Sequence, residues 1–340
     1  MKAMVLHDPY RIEDRPLKQE EVEMPEPKEN QVLIKVRACG VCRTDLHIIE
    51  GELKPIKSKI IPGHEIVGEI KQLGYGADRF SIGDIVGVPW LYSTCGKCDY
   101  CLSGRENLCQ NKKFTGYSEN GGYAEYTVAN QDFCFKLPKN INAESVAPLL
   151  CSGIIGYHAL KSAISKGEKH IGMFGFGSSA HLTLQLAVKM GYTVSVASRN
   201  RDHLDMATGL GAKYTYKSDS DDMEKLKGTL DSAIVFAPVG VVVMQALESI
   251  KPGGTVVIAD IYTTPIGPLD YEKHLFHEKV LTSVEANTRK GAEEYLALAF
   301  KFGIKPVYTT KKLEDANDAI LDLKKERVKG SVVLRVQTDF

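Results

Sequence analysis

The stretch His170-Ile171-Gly172-Met173-Phe174-Gly175-Phe176-Gly177-Ser178-Ser179-Ala180 joins a short apolar run to a glycine turn and then to a helical pattern. The run 170–174 reads as a strand closed by turn residues. Over 178–190, Leu182, Leu186 and Val188 recur at helical spacing. Working outward, residues 193–197, 232–237, 255–259 and 280–284 are further apolar strands, and 241–250 is a second helical run. Strands that alternate with helices predict a doubly wound α/β fold, a parallel sheet with helices on both faces. Gly175, Gly177 and Ala180 form a degenerate G-x-G-x-x-G/A. Its glycines allow a tight turn and close approach of a pyrophosphate to the helix N-terminus. Placement after a strand and before a helix is the context that motif requires.

The chain before about residue 145 has another texture. Val32, Ile34 and Val36 alternate with Lys35 and Arg37 in a strand over 31–38. Residues 66–70 and 85–88 are short strands, bounded by Gly74-Tyr75-Gly76 and Ile82-Gly83-Asp84. Gly121-Gly122 turns into another strand that runs through Val128, and the first six residues read as a strand as well. An irregular β domain is expected. Beyond about 288 the pattern predicts helices at 292–300 and 313–323 and a strand at 331–336.

Composition limits the possible partners. With 340 residues the chain is long enough for two domains. Its 43 basic and 43 acidic residues cancel, which disfavours nucleic acid or a membrane surface as partner. No apolar run approaches the length of a membrane span, and the N-terminus lacks the apolar core of a secretion signal. Four of the eight cysteines fall within fifteen residues, at Cys95, Cys98, Cys101 and Cys109. Cys-x2-Cys spacing without a secretion signal favours metal over disulfides and predicts a reducing cytoplasm.

Those four thiolates can complete a tetrahedral zinc shell with no open position, so the lobe at about 93–111 reads as a structural zinc site. A second set is dispersed. Cys42 lies in Cys39-Gly40-Val41-Cys42-Arg43-Thr44-Asp45-Leu46-His47, His64 in Pro62-Gly63-His64-Glu65, and Cys151 after Leu149-Leu150. Two thiolates and one imidazole leave the fourth zinc position for water or substrate, the arrangement of a catalytic metal. Cys39 is expected to be a buried bystander.

Together these residues make the whole chain resemble the zinc-dependent medium-chain alcohol dehydrogenases, most closely the propanol-preferring and cinnamyl-type bacterial and archaeal group. The resemblance implies a GroES-like irregular β catalytic domain at 1–150 and 286–340 and a Rossmann coenzyme domain at 151–285. It implies a homodimer or homotetramer that acts on small-molecule alcohols and aldehydes. Two zinc ions per chain are expected. The one at Cys42, His64 and Cys151 polarises the alcohol oxygen, and a nicotinamide takes the hydride. Thr44 would pass the proton through the cofactor ribose to His47, imidazole being in general the side chain suited to proton transfer near neutral pH. Asp45 would orient His64 through its other ring nitrogen. Glu65 lies beside the metal, and Trp90 and Leu53 match substrate-pocket positions, Trp90 favouring slender alcohols.

Cofactor choice is read from the end of the second Rossmann strand, Val196-Ala197-Ser198-Arg199-Asn200-Arg201. Enzymes that use NAD place a carboxylate there for the ribose. Here the first is Asp202, expected on the next helix, whereas Ser198 and Arg199 suit a 2′-phosphate. NADP is favoured and NAD remains possible. Ser178 and Ser179 depart from the family's glycine turn. Ser331 stands after Gly330, where many relatives carry an arginine. The competing readings are a polyol or other secondary-alcohol dehydrogenase of the same fold, and a non-enzymatic zinc-stabilised relic. Thr44 and His47 argue against the relic, because it has no need of a proton path.

Overall fold

Strand Gln31–Val41 is the axis of the first unit. In the computed structural model, which describes residues 1–165 and 167–336, this strand runs three residues past the expected end at Ala38. Its register on Glu65–Leu73 slips between Val36 and Ala38. Beyond that bulge Ala38, Cys39, Gly40 and Val41 are all buried, so the sequence alternation fades just where the strand continues. The extension carries the chain directly to Cys42, which caps helix Arg43–Ile49.

Gln31–Val41 pairs antiparallel with Ser331–Arg335, Glu65–Leu73 and Tyr126–Asn130. Tyr308–Lys312, Ile85–Val88 and Phe135–Lys136 complete a seven-stranded sheet. Its core holds Ile34, Ile66, Ile70, Ile49 and Tyr123 among many other apolar side chains. This unit contains residues 1–151, 286–293 and 305–336. Cys151 therefore ends this unit, whereas the sequence-based boundary put it in the next. Residues 294–304 leave the expected 286–340 segment for the second unit, and 337–340 lie outside the described residues.

The second unit is a six-stranded parallel sheet. In chain order its strands are His170–Phe174, Thr193–Ser198, Tyr214–Lys217, Leu230–Val235, Ile250–Ile258 and Val280–Ser283. They lie side by side in the order 3-2-1-4-5-6, the dinucleotide-binding Rossmann order. Tyr214–Lys217 is an additional strand that the sequence pattern does not disclose. The order reverses beside His170–Phe174, whose C-terminal end leads into the glycine turn. Helices Ser152–Ala163 and Ser178–Lys189 pack closely because Gly156 has no side chain. A Cβ there would sit 2.0 Å from Thr183 Oγ1.

Candidate active site

A single carboxylate organises the site. Asp45 is the third residue of helix Arg43–Ile49 and is fully buried. Its Oδ2 accepts from the Cys42 backbone N–H (2.9 Å) and from Tyr123 Oη (3.0 Å). Its Oδ1 accepts from the Gly63 N–H (3.2 Å) and from His64 Nδ1 (3.0 Å). Four donors offset the desolvation of one buried charge. Burial first, and then the Asp45 charge, keep the Tyr123 phenol well above its ordinary pKa, so it stays a donor.

Glycines bring the partners this close. Gly63 sits at φ +96, and a Cβ there would lie 2.3 Å from the Tyr123 ring. Gly122 N–H and Tyr123 N–H donate to Gly63 O and Pro62 O, which clamps the turn ahead of His64. With Nδ1 engaged by Asp45, the other ring nitrogen, His64 Nε2, is buried without a hydrogen-bond partner.

Cys42, His64, Glu65 and Cys151 offer four ligand atoms that all lie within 4.8 Å of one another. Glu65 is buried and pairs in register with Gly40. A Cβ on Gly40 would stand 1.8 Å from Glu65 Oε2, so the carboxylate occupies the space that the glycine leaves. Cys151 follows the 3-10 turn Ala147–Leu150. A hydrogen bond with Cys151 holds the Cys42 thiol well below its ordinary range, helped by His64 and opposed by burial. The same hydrogen bond, together with burial, pushes Cys151 well above it. Burial disfavours charge on His64, yet Asp45 and Cys42 outweigh it and raise its pKa. Such a proton-sharing cluster of soft and nitrogen donors, with one bare imidazole nitrogen, suits a divalent zinc ion.

Cys95, Cys98, Cys101 and Cys109 also converge within 4.8 Å. Cys98 Sγ and Cys95 Sγ lie 3.5 and 3.9 Å from Cys101 Sγ. A zinc–sulfur bond of 2.3 Å sets a tetrahedral S···S edge of about 3.8 Å, so the spacing fits a metal rather than a disulfide. Backbone N–H groups of Lys97 and Cys98 point at Cys95 Sγ and hold its pKa down at about 6.

Around the first cluster, Thr44 is buried with Oγ1 3.6 Å from Cys42 Sγ. His47 is buried in the last turn of the same helix, with Nδ1 hydrogen-bonded to Glu52. The Trp90 ring meets the His64 ring edge-on at 4.8 Å and stacks on Phe114 at 4.6 Å. Leu53 packs, partly buried, against the same core. Tyr123, Glu52 and Phe114 escape sequence reasoning. Glu52 does carry a local signal, an acid five residues after a candidate proton carrier. Tyr123 meets Asp45 across 78 residues, and nothing in the sequence announces that.

In the second unit Gly175 adopts φ +86, and a Cβ there would meet Ala237 N at 2.9 Å. Gly177 begins helix Ser178–Lys189, with no side-chain cap and open space where its Cβ would be. A helix start without a side-chain cap, beside open space at Gly177, suits a phosphate. Ser178 and Ser179 open the helix, and Ala180 is fully buried beneath them. Ser198 ends its strand, buried, while Arg199 is exposed. Asp202 lies in the first turn of helix Arg201–Gly209. Ser331 is buried in the first unit's sheet.

Residues 28–139 match the alcohol dehydrogenase GroES-like domain, and residues 180–290 match the zinc-binding dehydrogenase domain. A probable alcohol dehydrogenase of Mycobacterium tuberculosis is 39% identical over 99% of this chain and 97% of its own. An alcohol dehydrogenase of Geobacillus stearothermophilus is 36% identical, with all of both chains covered. A solved cinnamyl alcohol dehydrogenase of Sorghum bicolor superposes with TM-score 0.89 at 28% identity, over 98% of this chain and 97% of that one. The chain belongs to the zinc-type alcohol dehydrogenase family.

Proposed function

We propose that this oxidoreductase is an NADP-preferring enzyme that interconverts primary or small secondary alcohols and their carbonyl compounds, with two zinc ions per chain. The observation that carries it is the convergence of Cys42, His64 and Cys151 around a bare imidazole nitrogen. The residues fit a catalytic zinc held by Cys42, His64 and Cys151, with Glu65 beside it, and a structural zinc held by Cys95, Cys98, Cys101 and Cys109. When bound, the catalytic ion supplies the Lewis acidity that acidifies an alcohol, and the nicotinamide supplies the hydride acceptor.

The chain's own residues do the rest. Asp45 fixes the His64 tautomer so that Nε2 faces the metal position. Thr44 Oγ1 would hydrogen-bond the alcohol oxygen, and His47, which the proton would reach by way of the cofactor ribose, would release it toward solvent. Trp90, packed on Phe114 and against His64, narrows the pocket and excludes water, and Leu53 lines it further out. Gly175, Gly177, Ser178, Ser179 and Ala180 receive the pyrophosphate at the start of their helix.

Ser198 and Arg199 read the 2′-phosphate. Arg199 is exposed at a strand end, and the nearest following acid, Asp202, lies in the first turn of the next helix. We assign a dimer or tetramer because, among the described residues, Val280–Ser283 has a hydrogen-bonded neighbour on one side only. Tyr271, Phe276 and Val280 nearby are exposed, an edge that another chain can cover. A reducing cytoplasm suits eight unpaired cysteines. No helix among the described residues is long and apolar enough to cross a membrane.

The test is steady-state turnover of a panel of primary alcohols and aldehydes with both cofactors. NADPH is expected to be preferred, and Arg199→Ala to raise its KM about tenfold, the worth of a charge-assisted hydrogen bond, with little change for NADH. A strong NADH preference in the wild type overturns the assignment of Arg199. No turnover of any alcohol or aldehyde with either cofactor overturns the substrate class.

A further inference from the structure

Trp90 is the only tryptophan in the chain, and its ring lies edge-on to His64. Three successive backbone groups fix where that ring stands. Pro89 O accepts from Thr115 Oγ1 at 2.8 Å, and Trp90 O accepts the Thr115 N–H at 2.9 Å. The third, the Leu91 N–H, donates to Asn287 Oδ1 at 3.4 Å, across 196 residues of sequence. Asn287 is buried, and its Nδ2 has no hydrogen-bond partner. Turning the amide over would set one donor against another, so the Leu91 N–H dictates its orientation. The backbone just before it is strained: Ala286 sits at φ +50, in the left-handed region that suits glycine. Such strain persists only where the surroundings hold it. Here the four-cysteine lobe does so. Arg289 opens helix Arg289–Phe302, and its backbone N–H (2.8 Å) and its Nε (3.3 Å) both donate to Glu106 Oε1. Its guanidinium also lies over the Phe133 ring, 5.0 Å from the centroid. Thr288 Oγ1 accepts the Gly291 N–H at 3.0 Å and caps the same turn. Glu106 is almost fully buried and lies three residues before Cys109, whose N–H donates to Glu106 O at 3.0 Å. A carboxylate at a helix N-terminus that meets an otherwise unpaired N–H and a guanidinium makes two charge-assisted bonds. All these residues belong to the first unit.

We propose that Glu106 is a positioning residue for substrate selection: through Arg289 and Asn287 it fixes the pocket wall at Trp90, so that the lobe shapes the pocket as well as stabilising the chain. This rests on the reading of Trp90 as a wall of the alcohol pocket. The turns of the lobe place the Glu106 carboxylate, and the carboxylate seats the first turn of helix Arg289–Phe302. Asn287, two residues before Arg289, is thereby held against the Leu91 N–H, the one of the three backbone groups that Thr115 does not hold. A ring seated between His64 and Phe114 has no slack, since packed interiors carry few voids. A small shift of its backbone therefore changes which alcohol fits. The contacts form one path only if removing two of them has the effect of removing one.

The experiment compares Arg289→Met, Arg289→Lys, Asn287→Ala, the double variant Arg289→Met/Asn287→Ala and Trp90→Phe with wild type in the full-length enzyme. The constants kcat and KM are measured for 1-butanol and benzyl alcohol, and the fluorescence of Trp90 is titrated with acrylamide. One methylene in an apolar pocket contributes about tenfold or more to discrimination, so Arg289→Met and Asn287→Ala should each shift the ratio of kcat/KM toward benzyl alcohol by roughly threefold to tenfold, chiefly through KM. Acrylamide should quench Trp90 more readily in both. Arg289→Lys, which keeps the charge, should recover part of both changes. The double variant should shift the ratio no further than Asn287→Ala alone. Trp90→Phe should shift it in the same direction. A lowered melting temperature in both single variants, with wild-type ratio and quenching, overturns the proposal, and a shifted ratio in Trp90→Phe then leaves the pocket reading standing. Additive shifts in the double variant overturn the path through Asn287. A wild-type ratio in Trp90→Phe overturns the pocket reading and this proposal together.

Discussion

Cys95, Cys98, Cys101 and Cys109 lie within fifteen residues of one another, and three of the four are partly exposed. Cys42, His64, Glu65 and Cys151 are drawn from points spread over residues 42–151, and His64 and Glu65 are buried. The lobe is built from short turns: a four-residue helix at Asp99–Leu102, a 3-10 turn at Glu106–Leu108, and Gly96 and Gly104 at positive φ. The dispersed set hangs on a seven-stranded sheet and on the Asp45 carboxylate. Short turns supply little apolar burial, so under the proposed function the lobe takes its order from a structural zinc. The dispersed set is ordered by the protein, and under the proposed function the zinc it would hold is left for chemistry.

This contrast can be broken by substitution, and the largest effect should come from the first cluster. Cys42→Ser should lower kcat by at least about a thousandfold while circular dichroism and melting temperature stay near wild type, since loss of a metal ligand removes Lewis-acid stabilisation of several kcal/mol. Cys101→Ser should do the reverse. Opening the lobe should cost about 3 kcal/mol, which at about 2–4 °C per kcal/mol lowers the melting temperature by roughly 6–12 °C. Activity should fall less steeply than stability. A lobe variant with an unchanged melting curve would mean that its turns are ordered without metal.

Smaller effects probe the scaffold of the first cluster. Asp45→Asn should weaken zinc binding about 10- to 100-fold, read by chelator competition, as expected for the orienting partner of a ligating histidine. Gly40→Ala should cost about 1–3 kcal/mol in chemical denaturation, because the new methyl must displace the Glu65 carboxylate from a packed site. A Gly40→Ala protein as stable as wild type would show that Glu65 moves freely there.

Much of this arrangement is legible in the sequence, for physical reasons that differ by region. The glycine turn is readable because Gly175 and Gly177 sit between two strong periodic patterns. The lobe is readable because its spacing is local. Tyr214–Lys217 is missed because it is a short edge strand, exposed or half-buried throughout, with no apolar alternation to betray it. The end of Gln31–Val41 is missed because burial on both faces removes the alternation. Gly40 acts through its register partner Glu65 across the sheet, and Tyr123 through a side-chain hydrogen bond to Asp45 on helix Arg43–Ile49. Such pairs follow from long-range pairing and packing, which no single stretch of sequence states.

The most direct test is zinc content per chain, measured by mass spectrometry of the metal on purified wild type and on Cys42→Ser. The contrast between a chemical and a structural site predicts two ions in the wild type and one in a folded Cys42→Ser. Two ions retained by the variant, or one in the wild type, would contradict it.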